Sequence, residues 1–417
     1  MKRYIAAGLA AMLLCSAGVP AYAAQRPAPA QTETAQQTAP VRLTFDTLEQ
    51  TVRRNNISIK ANDSTVKSAE ETDVSNSYFM NYLSLSGQIE GYQKQIKALS
   101  ETIAALPADD PMRAALTAQL QTLRASLAGA QSAYTDLDDQ EDDAKKDHER
   151  TIERTQREMQ NDSDQICRDA QDNYIALQTL RYAQNATDRS LAQLDRNIAA
   201  VQKQVQLGMA GTNQLAALQS QRQALDASRS AQQTQYDSVR NVLTLQCGYP
   251  LGTELVLDAL PTVTQAQLDA LDYARDLEQV LAHSYTVWQK KDAAEQAARD
   301  YLNDVTDNEH AAQAAKITCD AERENVTAAF RKLYQQVAQK RTALQAAYGD
   351  LQQAQKTFRV QQVQYRLGMI ARLAYADAEG ALQAAQEAAA TAEIDLLAAY
   401  QAYQWALRGV MTSTAAA

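Results

Sequence analysis

The chain has 417 residues and a formal charge of −10, with 50 Asp and Glu against 40 Lys and Arg, a balance that argues against nucleic acid as a partner. Cys167, Cys247 and Cys319, like His148, His283 and His310, are too scattered for a disulfide scaffold or a metal site. With four Phe and two Trp in a background of Ala, Gln, Leu and charged residues, the composition favours long helices over strands.

Lys2 and Arg3 precede a short apolar core, and Ala21-Tyr22-Ala23 fits the small-x-small cleavage rule, so residues 1–23 read as a secretory signal peptide. Cys15 follows the bulky Leu14 and makes a poor lipoprotein site. Residues 24–42, rich in Pro, Ala, Gln and Thr, have almost nothing to bury and read as a flexible linker. Removing Lys2 and Arg3 from the balance of −10 leaves the mature chain at −12. No later segment has an apolar run approaching the length of a membrane-spanning helix.

The clearest helical signal comes next. Tyr82, Leu85, Ile89, Tyr92, Ile96, Leu99, Ile103 and Leu106 alternate at three and four residues. Pro107–Pro111 interrupts, and the pattern resumes at Leu116, Leu120, Leu123, Leu127, Ala130, Tyr134 and Leu137. Such a seam demands a facing helix. The short turn makes that partner the preceding helix, so an antiparallel coiled-coil hairpin is predicted over 82–137. The acidic run Asp136, Asp138, Asp139, Glu141, Asp142 and Asp143 reads as a solvated helix face.

Two triplets, Leu207-Gly208-Met209 and Leu367-Gly368-Met369, stand 160 residues apart, and the same offset puts Tyr174 on Tyr334. Gly248 pairs with Gly409 after a one-residue slip. Upstream, Leu48-Glu49-Gln50 matches Leu277-Glu278-Gln279 at an offset of 229. Two copies of one helical unit are therefore expected, residues 43–261 and 262–410, the first enlarged by the 82–137 hairpin, with a tail at 411–417. Gly208 and Gly368 are predicted to end helices in the left-handed conformation, and Thr212 or Asn213 to cap the helix after the first. Residues 371–406 hold fifteen alanines, which suits close lateral packing of helices.

These residues resemble the TolC-like outer-membrane efflux factors. The stretch 47–70 looks like the start of that family's first repeat, with Ile57 in place of a usual proline. Residues 247–261 look like its inter-repeat link, and 363–385 like its second turn region. The resemblance implies a trimeric channel made of long helices, serving efflux or export with an inner-membrane pump and a periplasmic adaptor protein. It places the chain in the cell envelope, at the outer membrane or in the periplasm. It also implies an adaptor-docking surface at Leu207, Gly208, Met209, Leu367, Gly368 and Met369. Asp377 stands where some members narrow the entrance with an acidic residue, whereas the other such position holds Ala374.

One departure is plain. The family's membrane strands belong within 293–329 and near 82–92, where this sequence reads as charged helix and as heptad seam. An all-α, elongated, two-repeat protein with little or no strand is expected, a barrel-less conduit component with no catalytic residues, metal or cofactor. The alternative is an exported structural or adhesive coiled-coil protein that kept the fold and not the channel.

Overall fold

The structure, a computed structural model, describes residues 40–302 and 309–411. The predicted signal peptide, most of the linker and residues 412–417 of the tail lie outside the described residues. Among those described are ten helices and two strands of three residues each, the all-α architecture that the composition predicts.

The first repeat opens with β1 (Val41–Leu43), which pairs in parallel with β2 (Leu255–Leu257). Val41 and Arg42 thus belong to a strand, and the linker assigned to 24–42 ends two residues early. The pairing ties the start of the repeat to its closing link. Across it the Tyr174 hydroxyl lies 3.0 Å from the Leu43 carbonyl and 2.8 Å from that of Asp258, and Arg42 pairs with Asp258 at 2.7 Å. Thr44 caps α1 (Phe45–Asn55), its hydroxyl accepting from the Thr47 N–H at 3.3 Å. Phe45, Leu48 and Val52 then fall on one helical face and are buried. Asn56 breaks the helix and caps α2 (Ile57–Glu70), accepting from the N–H groups of Ser58 and Ile59. Ile57 is the first residue of α2 and is exposed. That position suits proline because its N–H has no partner inside the helix, so isoleucine serves there without altering the turn.

The heptad arm is formed by α3 (Ser75–Ala105) and the upper half of α4 (Met112–Gln206). With 95 residues, α4 is about 140 Å long at 1.5 Å per residue. The 82–137 hairpin is therefore no separate insert: its outgoing limb begins at Ser75 and its returning limb continues unbroken into the body. Tyr82 meets Tyr134 edge-on with ring centroids 5.2 Å apart, and its hydroxyl reaches Asp138 at 3.2 Å. Near the arm's tip, Arg113 donates to the Leu106 carbonyl at 3.0 Å. This register sets Ile96 and Leu99 opposite residues 116–123, as the spacing predicts. The seam residues of α3 are half-buried while most of their neighbours are exposed, and Leu120, Ala130 and Leu137 are buried on α4. Two helices alone cannot enclose a seam, which is why α3 has no fully buried residue. Ile96→Asp should destabilise the arm by about 2 kcal/mol or more through the carboxylate forced against it. Limited proteolysis should then cut within 82–137 while the body stays protected; unchanged resistance would show that this seam does not hold the arm.

After α5 (Thr212–Gln246) and the short α6 (Gln265–Asp269), the second repeat repeats the opening. Ser284 separates α7 (Tyr273–His283) from α8 (Tyr285–Leu302) with φ −60° and ψ 117°, much as Asn56 separates α1 from α2 with φ −62° and ψ 131°. Val52 and Val280, Asn56 and Ser284, and Ile59 and Val287 are equivalent and all buried. Their offset is 228, so the Leu-Glu-Gln match at 229 is one residue out of register. Burial, recurring at spacings of four and three residues in both repeats, sets the alignment, and the shared Leu-Glu-Gln letters do not follow it. Helix α9 (Glu309–Arg366) follows, then α10 (Arg372–Leu407). Where strands of the resembled family belong, α8 and α9 supply helix on both sides of residues 303–308.

Each repeat closes on its own opening. Gly248 (φ +74°) and Gly409 (φ +91°) end α5 and α10 in the same turn, the N–H of Tyr249 reaching the Thr244 carbonyl and that of Val410 the Trp405 carbonyl, each at 3.0 Å. Gly248 lies against Asn55 at the end of α1, and Gly409 against His283 at the end of α7. Below these joints the helices lie side by side in the order α5, α4, α10, α9. One core forms around Leu48, Tyr174 and Leu243, the other around Val280, Phe330 and Tyr403. Burial, and then the hydrogen bond it makes to Asp276 at 2.6 Å, raises the Tyr403 hydroxyl well above the ordinary tyrosine range.

Candidate functional site

The repeated Leu-Gly-Met triplets form the same turn twice. The N–H of Met209 reaches the Gln204 carbonyl at 2.8 Å and that of Gly208 the Val205 carbonyl at 3.0 Å. Met369 reaches Gln364 at 2.8 Å and Gly368 reaches Tyr365 at 2.9 Å. This is the Schellman pattern, which needs a left-handed residue after the helix; Gly208 has φ +73° and Gly368 φ +72°. Nothing lies within 4 Å of where a Cβ would sit on either, so backbone conformation alone requires glycine there. The next helices start without side-chain caps, from Gly211 and Ala371. Thr212 is the first residue of α5 rather than its cap, because the extended Gly211 already takes the cap position.

The two turns stand at one level. Gln171 and Arg189 on α4 meet Trp405 and Glu387 on α10, through an indole-to-amide hydrogen bond of 2.8 Å and a bidentate ion pair. Both pairs have residue numbers that sum to 576, the constant register of antiparallel neighbours. The same register carried down the helices sets Gly208 opposite Gly368. Leu207, Met209, Leu367 and Met369 are 67–75 % exposed, so four large apolar side chains project from one end of the molecule. Substituting Gly208→Val or Gly368→Val should cost about 1–2 kcal/mol through the left-handed backbone and distort that display. Circular dichroism should record nearly unchanged helix content, and loss of stability beyond this range would mean that the tips pack against something.

Two further features surround the turns. On the second tip Tyr375 stacks on Tyr365 with centroids 4.6 Å apart and touches Phe358 at 5.7 Å, bracing α9 against α10. No counterpart exists in the first triplet, where Val205 and Leu215 occupy the equivalent positions. The other feature is charge. Residues 196–225 and 351–376 contain seven Lys and Arg and no Asp or Glu. This signal is visible in the sequence once the two windows are known to share an end. Asp377, the candidate for an entrance constriction, is exposed on α10 nine residues beyond Gly368, and Ala374 is exposed with it. Neither touches the turns themselves.

Cys167 and Cys247 are buried, and burial raises their thiols to about 11 and about 12, while Cys319 is half-buried; all three are free. Among the described residues no three His, Cys, Asp or Glu side chains are placed to hold a metal ion, and no helix is long and apolar enough to cross a membrane.

Neither a family model nor a curated protein matches the sequence. Solved structures do. The outer-membrane channel OprN is similar at 13% identity and a TM-score of 0.47, over 88% of this chain and 90% of that one. CusC, described in terms of folding and transmembrane channel formation, is similar at 13% identity and a TM-score of 0.45, over 94% and 99%. The outer membrane protein VceC of Vibrio cholerae is similar at 12% identity and a TM-score of 0.45, over 88% and 96%.

Proposed function

We propose that the protein is a passive conduit of an envelope export or efflux assembly, built like the TolC-like factors that its sequence resembles. In this reading copies of the chain, three by that resemblance, close into a ring. The paired turns meet an adaptor protein, and an inner-membrane pump delivers the cargo. The chain performs no chemistry of its own. The observation that carries the reading is the level pair of identical turns at one end of a single layer of helices. Toward the tips, beyond the stretch of α9 that α7 and α8 cover, both edges of that layer are open. Helix α5 packs chiefly on α4, meets the α1–α2 joint only at its end, where Asn56 donates to the Gln246 carbonyl, and buries only Leu243 and Thr244 over 35 residues. On the other edge α9 exposes Val360 and Val363. A layer with two free and different edges is what a closed ring of like copies requires.

The mature chain should therefore have the native mass of three copies. Gln219→Cys on α5 and Arg359→Cys on α9 sit about ten residues above the tips and should crosslink between chains when combined. A chain that stays monomeric at micromolar concentration, with no crosslink, would exclude a ring and leave the reading of an exported coiled-coil spacer.

A further inference from the structure

We propose that the partner docking at this end presents an acidic surface around an apolar contact, so that docking is electrostatically selective. The inference rests on the docking reading of the turns and adds the chemistry of the occupant. The chain as a whole is acidic, yet its tip end is not. Lys203, Arg366 and Arg372 lie within five residues of the two turn glycines, and Arg196, Lys356 and Arg359 within twelve. All six are exposed and none forms an ion pair among the described residues. Elsewhere cations are commonly engaged: Arg222, next along α5, already pairs with Asp195 and Asp226, and Lys340 on α9 with Asp395. The first acidic residues along α10 are Asp377 and Glu379, Asp377 standing nine residues beyond Gly368 and about one and a half turns into the helix. The opposite end has the reverse balance, with fifteen acidic against seven basic residues over 70–150.

Those charges surround Leu207, Met209, Leu367 and Met369, the most exposed large apolar side chains of this end. An apolar centre with a charged rim is the anatomy of a protein-docking surface. A rim of one sign speeds encounter with the opposite sign and rejects the same sign. A second copy is excluded as the tip-to-tip occupant, since basic rims repel. A protein with carboxylates around an apolar contact fits better than a lipid surface. Two turns at one level offer discrete contacts, whereas interfacial binding uses a broad apolar helix face; the exposed Val360 and Val363 of α9 lie on the edge that a ring of copies would cover.

The test uses the full chain in its own cells, with a photo-crosslinking amino acid at Ala210 or Ile370, and sequencing of the peptides it captures. The expected product is one partner segment with more Asp and Glu than Lys and Arg. A variant combining Lys203→Gln, Arg359→Gln, Arg366→Gln and Arg372→Gln should keep its helix content. It should lose about two- to fivefold in capture per charge removed, more than tenfold in all. Binding of the purified partner should weaken as salt rises from about 0.05 to 0.5 M, because exposed charges are screened over that range. A neutral or basic captured segment, or capture that the four substitutions leave intact, overturns the inference while the docking reading stands. Crosslinks to lipid, with binding to phosphatidylglycerol but not phosphatidylcholine vesicles that the same variant loses, overturn it in favour of a membrane. No crosslink at either position removes docking itself and the inference with it.

Discussion

Gly409→Ala should destabilise the protein by about 2–5 kcal/mol, combining the cost of a left-handed L-residue with that of overpacking. The same change at Gly368 should cost only about 1–2 kcal/mol, the conformational part alone. Both glycines end a helix in the same hydrogen-bonded turn, with φ +91° and +72°. They differ in what surrounds them. A Cβ on Gly409 would lie 2.1 Å from the His283 carbonyl oxygen and 2.6 Å from its carbon, whereas a Cβ on Gly368 meets nothing within 4 Å. Backbone atoms at the end of α7 cannot rotate away as a long side chain can, so the α7–α10 joint must open. Gly248→Ala should behave like Gly409→Ala, with its Cβ 2.5 Å from the Asn55 carbonyl oxygen. Urea unfolding midpoints of the three variants decide the matter, and equal shifts would mean that the closing glycines are not in backbone contact.

That contrast also marks what the sequence made legible. Glycine is scarce in this chain, so a triplet repeated at the ends of two helical runs is a strong local signal, and the left-handed turns at Gly208 and Gly368 follow from it. The heptad seam is local too, and its antiparallel register follows from one short turn. The level placement of the turns is different, because it depends on α4 and α10 meeting through residues about 200 positions apart, such as Arg189 and Glu387. Nothing in either local pattern encodes that meeting. The β1–β2 pair is not legible in the sequence, because three residues carry no readable alternation and its partners lie 214 residues apart. The Leu-Glu-Gln match lies one residue out of register because identical letters need not share an environment, while the fold preserves burial: Val280 aligns with Val52, but Asp276 stands where Leu48 does. Asp276 is tolerated there because Tyr403 and Arg275 bond to it. The basic tip was legible as two acid-free windows, but only the fold brings them together.

Trp405→Ala should cost about 3–5 kcal/mol for the lost aromatic volume, and about 1–3 kcal/mol more for the amide left without its donor. Trp405 belongs to α10 in the second repeat, yet it is buried in the core of the first, where its indole N–H donates to Gln171 at 2.8 Å. Arg408 covers the ring at 4.7 Å and reaches back to Glu49 on α1 at 2.9 Å. Burial acts to raise the Glu49 carboxyl, but hydrogen bonds from Arg408 and Arg53 outweigh it and hold it below the usual carboxylate range. The sign is that of a depressed carboxylate: its contribution is present above the unfolded carboxylate range and is lost as pH falls through the lowered folded value. Trp405, together with the Arg408–Glu49 and Arg189–Glu387 ion pairs, therefore fastens the two repeats in the register that sets the tips level. Trp405→Phe keeps most of the volume but lacks the N–H, and should cost distinctly less than the alanine. It also leaves Trp288, beneath Arg157 at the α4–α8 contact, as the sole indole reporter. Denaturant unfolding of Trp405→Phe followed by Trp288 fluorescence and by helix circular dichroism should give coincident transitions, because the joint survives. In Trp405→Ala the repeats should come apart before their helices melt, so that chemical probes of the α4–α10 contact respond at lower urea than helix content does. If that variant unfolds in one step at an unchanged midpoint, the joint does not hold the repeats together, and the level placement of the turns must have another cause.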